Sequence, residues 1–182
     1  MNTKTRVAVV VTFLFVLLPI RLFAFQNDPD GFRGIKWETN ISTLKDMIYV
    51  KTEAYSSAPS AGEIKGYARK NDELKLGGAK LDSILYCFWQ GRFCNVLISF
   101  TGSTNFYGIK DACEIKFGKF HFLAKHWYGW GGGEGENSTS IIALDFSEIS
   151  NQGTLLIQSK SIREEQNRYD YQKAKEGAEK GF

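Results

Sequence analysis

The chain has 182 residues, of which 43% are hydrophobic and 14% aromatic, so it can fill the core of one compact domain. It carries 23 basic and 20 acidic residues, but Lys4, Arg6 and Arg21 fall within the first 24 residues, which contain no acid. Without those three bases the remaining chain is electrically neutral and shows no basic stripe, which argues against a nucleic-acid binder.

The N-terminal segment has the pattern of a secretory signal peptide. The polar start MNTKTR precedes an apolar run from Val7 to Ile20, and Leu22 and Ala24 occupy the small-residue positions of a cleavage site. Residues 1–24 are therefore predicted to be removed on export, which indicates a periplasmic or secreted protein. The apolar run is shorter than the ~20 residues of a membrane-spanning helix, so no membrane span is expected after cleavage; a retained anchor is the alternative.

Short elements follow in chain order. Thr39 or Asn40 is a candidate N-cap for a short helix with Ile41, Leu44 and Ile48 on one face. A second helix is predicted at residues 105–117, ending before Gly118. Strand-like runs occupy residues 47–55, 63–70, 82–89, 92–100, 120–130, 139–146 and 153–161. Residues 163–182 predict a charged C-terminal helix, which Ser161 and Glu164 introduce with capping-box spacing.

These elements predict an α+β fold, in which helices pack on an antiparallel meander sheet, as a single domain over residues 25–162. The stretches TNISTLKDM and TNFYGIKDA lie 65 residues apart and share a Thr-Asn start, an aliphatic residue and Lys-Asp. A tandem duplication of a helix-plus-meander unit, with halves 31–102 and 103–162, would explain this echo. Chance similarity between two helix starts is the alternative.

Two cysteines flank the predicted Gln90-Gly91 hairpin turn. A two-residue turn places Cys87 directly opposite Cys94, at a separation that a disulfide tolerates, and an exported protein meets oxidising conditions. Alternation places both cysteines on the face with Val96, Ile98 and Phe100, which the second helix is expected to cover with Cys113. A Cys87–Cys94 bond, a bond involving Cys113 and three free thiols therefore all stay open. The sequence has no C-x-x-C motif, which would indicate a catalytic thiol.

The same hairpin is apolar on its other face as well, so a further layer must cover that face. The covering layer is either another part of the chain, such as the segment with Phe32, Ile35 and Trp37 or the C-terminal helix, or a binding partner. In the second case the nearby tryptophans would extend the surface. The candidate partner surface comprises Ile84, Tyr86, Phe88, Phe93, Leu97, Trp127 and Trp130.

Few other residues suggest chemistry. Glu134 or Glu136, in the glycine-rich loop after His126–Trp130, would supply the acid of a hydrolase that acts on cell-wall sugar or peptide. A loop of this composition gives a catalytic carboxylate little rigid support. His121 and His126 lie five residues apart on one predicted strand and have no further ligands nearby, so neither a metal site nor a cofactor is expected.

Four stretches resemble a group of short exported bacterial proteins with no assigned activity: GFRGIKWETNISTLKDM, LGGAKLDSILYCFWQGRF, KFG after the second helix and KAKEGAEKGF at the end. The resemblance covers most of the chain after the signal segment, and glycine is more usual in the group at the position of Glu38. It implies a bacterial envelope setting and carries no catalytic or binding residue.

The sequence therefore favours a non-enzymatic, exported binding module whose partner is an envelope protein or a cell-wall component. A cell-wall hydrolase and a thiol-dependent redox component are the alternatives.

Overall fold

The computed structural model describes residues 25–53, 64–120, 122–124, 127–131 and 137–180. The predicted signal segment lies outside these residues. Within them, two helices pack on one large antiparallel sheet, which confirms the predicted α+β class.

The helices are α1, Ser103–Phe117, and α2, Lys160–Lys180. The large sheet contains β3 Met47–Glu53, β4 Ile64–Arg69, β7 Ser83–Trp89, β8 Arg92–Thr101, β9 Phe122–Ala124, β10 Trp127–Trp130, β11 Ser140–Ser147 and β12 Gln152–Ser159. Two small hairpins stand apart from it: β1 Gly31–Phe32 with β2 Ile35–Lys36, and β5 Lys75–Leu76 with β6 Ala79–Lys80. Alternation did not predict these hairpins because two-residue strands have no measurable period.

The strand order of the large sheet is β3-β4-β7-β8-β12-β11-β10-β9. Each half of the chain thus contributes a four-stranded meander, and the last strand of each half pairs antiparallel at the centre, with Leu97 opposite Leu156. The echo that starts at Thr39 and Thr104 precedes the two meanders. A common ancestry of the halves stays a prediction.

The first predicted helix is wrong beyond its opening turn. Asn40 caps Ser42 N, and Ile41–Thr43 forms a single 3₁₀ turn, but the chain is already extended at Met47, so Ile48 lies in β3. Three backbone hydrogen bonds to the β7–β8 hairpin hold this region: Glu38 N donates to Phe93 O, Phe93 N to Thr39 O and Ile41 N to Gly91 O, each at 2.9 Å. Glu38 adopts φ 67°, a left-handed conformation that normally favours glycine.

The Gln90-Gly91 turn forms as predicted, with positive φ at both residues and Phe88 opposite Phe93. A β-bulge then inserts Cys94 as an extra residue, so that Asn95, not Cys94, lies opposite Cys87. The predicted direct Cys87–Cys94 pairing is therefore wrong. The bulge also reverses the faces of the rest of β8, so Val96, Ile98 and Phe100 do not share a face with Cys94 as predicted.

The two sheet faces have different covers. The inner face, defined by Ile84, Tyr86, Phe88, Phe93, Val96, Ile98 and Phe100, packs against α1 through Phe106, Ile109, Cys113 and Phe117. The outer face, defined by Leu85, Cys87, Trp89, Cys94 and Leu97, packs against α2 through Ile162 and Tyr169. Cys113 therefore lies across the sheet from the other two cysteines, and the expectation that its helix covers them is wrong.

Candidate functional site: a cleft beside helix α1

Most of the predicted partner surface is core. Ile84, Tyr86, Phe88, Phe93 and Trp130 are each at most 5% exposed. The chain's own N-terminal segment covers this face: the ring of Phe32 lies 5.9 Å from that of Tyr86, and Trp37 lies 4.9 Å from Phe93. The alternative that another part of the chain covers the hairpin is confirmed, and these residues do not form an exposed surface.

Leu97 and Trp127 lie elsewhere. Leu97 is half-buried on the outer face beside Tyr169. Trp127 is 44% exposed, and because Tyr128 and Trp130 both face the inner core, alternation places Trp127 on the outer side of the sheet. Strands β12 and β11 separate the two residues, so they do not form one aromatic patch.

All three cysteines lie in the described part of the chain, where they are buried and form no disulfide. Cys94 Sγ donates to the carbonyl oxygen of Cys87 at 3.2 Å, where a disulfide was a candidate. Burial raises the pKa of Cys94 to about 12 and that of Cys113 to about 12. Because the thiolate is the reactive form, these environments do not support a redox-active cysteine.

A cleft of about 380 Å³ opens beside α1 on the inner face. Its floor is apolar and buried: Leu155 and Ile157 come from the central strand β12, and Cys113 and Phe117 come from α1. Its walls are the two small hairpins, with Gly31, Phe32 and Arg33 on one side and Lys75, Leu76 and Gly77 on the other.

Local sequence explains each wall. Arg33 and Gly34, with φ 47° and 82°, form the two-residue turn that joins β1 to β2. Gly77, with φ 58°, begins the turn between β5 and β6 and lies against Ala112 of α1. Gly118, with φ 83°, ends α1, so Lys116 falls in the last helical turn, where a cation is favoured by the helix dipole.

Arg33 ties the two walls together. Its guanidinium donates to Asp72 Oδ1 at 2.5 Å, to the carbonyl oxygen of Glu73 at 2.7 Å and to that of Lys75 at 2.6 Å. Asp72 also accepts from the hydroxyl of Tyr86 at 2.6 Å. Burial, reinforced by this bond to Asp72, raises the pKa of Tyr86. The arginine therefore connects the cleft walls to a neutral, buried tyrosine of the core.

Two lysines mark the rim. Both are exposed, and Lys75 Nζ lies 3.7 Å from Glu73 in an exposed pair. Lys116 Nζ lies 5.5 Å from the ring centroid of Phe117 and has no acidic partner among the described residues. Lys116 lines the cleft next to Phe117 of the floor. Its positive charge opposes the effect of burial on the pKa of Cys113, and the negative charge of Glu114 reinforces that effect.

A second, more open groove of about 620 Å³ lies between the N-terminal segment and the start of α2. Most residues that line this groove are polar: Glu38 accepts from Ser161 Oγ at 3.2 Å, and Asp30 pairs with Lys36 at 3.1 Å. Asn137 also lines it, whereas Glu134, Glu136, His121 and His126 lie outside the described residues, so the hydrolase alternative stays a prediction.

Within the described ranges, no group of three or more His, Cys, Asp and Glu side chains is placed to hold a metal ion. Neither of the helices described is long and apolar enough to cross a membrane.

The cleft was not predictable from the sequence, because its residues are far apart in the chain. The stretches GFRG, LGG and KFG contain no catalytic pattern, and they meet at this site as Phe32 and Arg33, Leu76 and Gly77, and Lys116 and Phe117.

Comparison with protein-family models, with curated proteins and with solved structures finds no match to this chain.

Proposed function

We propose that the protein is a non-enzymatic, exported binding module of the bacterial envelope that holds a small apolar ligand in the cleft beside α1. The observation that carries this proposal is the cleft itself. Its volume of about 380 Å³ lies within the ~300–1,000 Å³ range of small-molecule sites, and its floor of Leu155, Ile157, Cys113 and Phe117 is apolar.

The arrangement favours binding over catalysis. The thiol on the cleft floor, that of Cys113, has a pKa of about 12 and is therefore protonated at neutral pH. Arg33, the most constrained cation, donates to Asp72 and to two carbonyl oxygens, so it joins the two walls instead of engaging a reacting group. Because the walls of such a preformed site are already ordered, ligand binding does not carry the entropic cost of ordering them.

The proposal that the protein is exported rests on residues 1–24. Their polar start, apolar run and small-residue cleavage site support export, and the ligand would then be a component of the envelope or of the surrounding medium.

Nile red, a neutral apolar dye, tests the proposal. We expect the full chain to bind it with enhanced fluorescence and Ala112→Phe, which fills the cleft from α1, to weaken binding by at least about tenfold. Leu76→Trp fills the cleft from the β5–β6 hairpin and guards against a folding defect in the first variant. Ala143→Phe, at another half-buried alanine on the outer face, is the matched control and should bind normally.

Thermal unfolding of each variant must first show a cooperative transition. Dye binding that survives both cleft-filling variants, or that is absent from the unmodified chain, would overturn the proposal.

A further inference from the structure

We infer that the ligand is the anion of an acyl chain, with its tail on the cleft floor and its acidic head at Lys116 and Lys75. This inference rests on the proposed function and narrows its ligand class. The residues that line the cleft include three cations and no acid, although acids and bases are nearly equal in number over the whole chain. The cleft is therefore a local concentration of positive charge on an apolar pocket.

The three cations have different roles. Arg33 already donates to Asp72 and to the carbonyl oxygens of Glu73 and Lys75, so its charge is largely balanced and its geometry fixed. Lys116 faces no acid among the described residues. The contact of Lys75 with Glu73, at 3.7 Å between exposed groups, is weak and easily exchanged. The head of the ligand is thus recognised by two flexible ammonium groups, which suits a carboxylate or a phosphate as a point charge.

The floor defines the other end of the ligand. Leu155 and Phe117 are hydrocarbon, and the thiol of Cys113 is the only side-chain polar atom among the floor residues. A second polar group on the ligand would lose its water there without gaining a partner, which is costly. The cleft therefore fits a ligand that has one charged end and one unsubstituted apolar end.

A saturated chain-length series measures the apolar end. Octanoate, decanoate, dodecanoate and tetradecanoate, each below its micelle concentration, should displace Nile red with affinity rising by up to about fourfold per buried methylene. The rise should stop once the cleft is full. An increase that never levels off, or no dependence on length, would overturn the assignment of the tail to the floor.

The charged end is tested at constant chain length. Dodecanoate should displace the dye at about one-tenth the concentration that dodecanol needs, and dodecyltrimethylammonium should be the poorest competitor. Lys116→Gln should remove most of the advantage of dodecanoate over dodecanol and leave dodecanol unchanged, and Lys75→Gln should remove less. Lys80→Gln, an exposed lysine of the same hairpin that does not line the cleft, is the control. Dodecyl phosphate separates a phosphate-headed lipid from a free fatty acid: the tighter of the two heads identifies the source.

Equal displacement by dodecanol and dodecanoate would overturn the inference while leaving the proposed function intact, since the dye would still occupy the cleft. If Lys116→Gln weakened the binding of dodecanoate and of dodecanol equally, the lysine would contribute through packing and not through its charge. That result would also overturn the inference. Failure of the cleft-filling variants to affect the dye would instead refute the proposed function itself.

Discussion

The two faces of the large sheet differ in how much apolar surface they bury. On the inner face, α1 and the N-terminal hairpin enclose a continuous aromatic and aliphatic core that includes Tyr86, Phe93 and Phe100, each at most 1% exposed. On the outer face, α2 covers a much smaller cluster and inserts one fully buried apolar side chain, Ile162. Since burial of apolar area is the main stabilising term, the inner face carries most of the stability.

The outer face also contains buried polar atoms that lack a hydrogen-bond partner among the described residues. Asn95 Oδ1, Gln166 Nε2 and Asp170 Oδ1 are buried and find no hydrogen-bond partner within the described part of the chain. Each such atom costs roughly 1–3 kcal/mol. Besides Ile162, α2 is held by the contact of Tyr169 with Trp89 and by Arg92, which pairs with Glu165 at 2.5 Å. From residue 171 to 179 every side chain of α2 is exposed. The comparison teaches that two helices on one sheet can differ greatly in how firmly they are attached.

The largest expected effect comes from two substitutions on the same strand, one on each face. Phe93→Ala should destabilise the protein by about 3–5 kcal/mol, because it leaves a cavity in the inner core. Leu97→Ala, which removes a half-buried side chain from the outer face, should cost about 1 kcal/mol. Urea denaturation of both variants measures the difference. Similar losses would show that the two faces contribute equally, and a stable Phe93→Ala protein would return that residue to the list of surface candidates.

A smaller effect should separate the helices. Ile162→Ala should cost about 2 kcal/mol and raise amide hydrogen exchange at least about tenfold over the first three turns of α2, while α1 stays protected. The exchange is selective because Ile162 is the principal apolar anchor of α2. Ile115→Ala, at an 81% exposed position of α1, is the control and should change neither helix. Equal acceleration in α1 and α2 would mean that both faces open in one cooperative step.

The sequence predicted those parts of the fold that depend on local pattern. The helix that ends at Gly118, the Gln90-Gly91 turn and most strands of the large sheet follow from period, capping and turn chemistry, which act between neighbours. The single strand predicted over residues 120–130 is wrong, because the structure has two strands there, β9 and β10, which pair antiparallel with Trp127 opposite Ala124. The bulge at Cys94 was not predictable, because both faces of FCNVLISF contain large apolar residues and alternation gives no sign of an extra residue. One inserted residue reassigned Val96, Ile98, Phe100 and Leu97.

The candidate site was less accessible to sequence reasoning. The aromatic hairpin was correctly predicted to need a cover on both faces, but pattern alone did not decide between Trp37 of the same chain and a partner. The cleft depends on contacts between Arg33 and Asp72 and between Gly77 and Ala112, which lie 39 and 35 positions apart in the chain. Such long-range packing has no local signature.

The smallest expected effect is a pH dependence of stability that arises from two buried thiols, one under each helix. Its size reports how completely each helix excludes water from the sheet face beneath it. Cys113 lies under α1 and Cys94 under α2, and burial raises the pKa of each from 9.0 to about 12. The folded protein therefore keeps protons that the unfolded chain loses above pH 9. The stabilisation is complete below pH 9 and is lost progressively as the pH rises toward 12.

Between pH 8 and pH 10 each thiol should thus lower the free energy of unfolding by about 1 kcal/mol. Cys113→Ala and Cys94→Ala should each remove that part of the loss, as measured by urea denaturation under reducing conditions at the two pH values. The raised pKa of Tyr86 adds a loss of the same sign, but it is common to all three proteins and cancels in the comparison. If Cys94→Ala changed the pH dependence far less than Cys113→Ala, α2 would be open in a large fraction of folded molecules. That result would contradict the burial of Ile162 and would leave α1 and its cleft as the only firmly closed layer among the described elements.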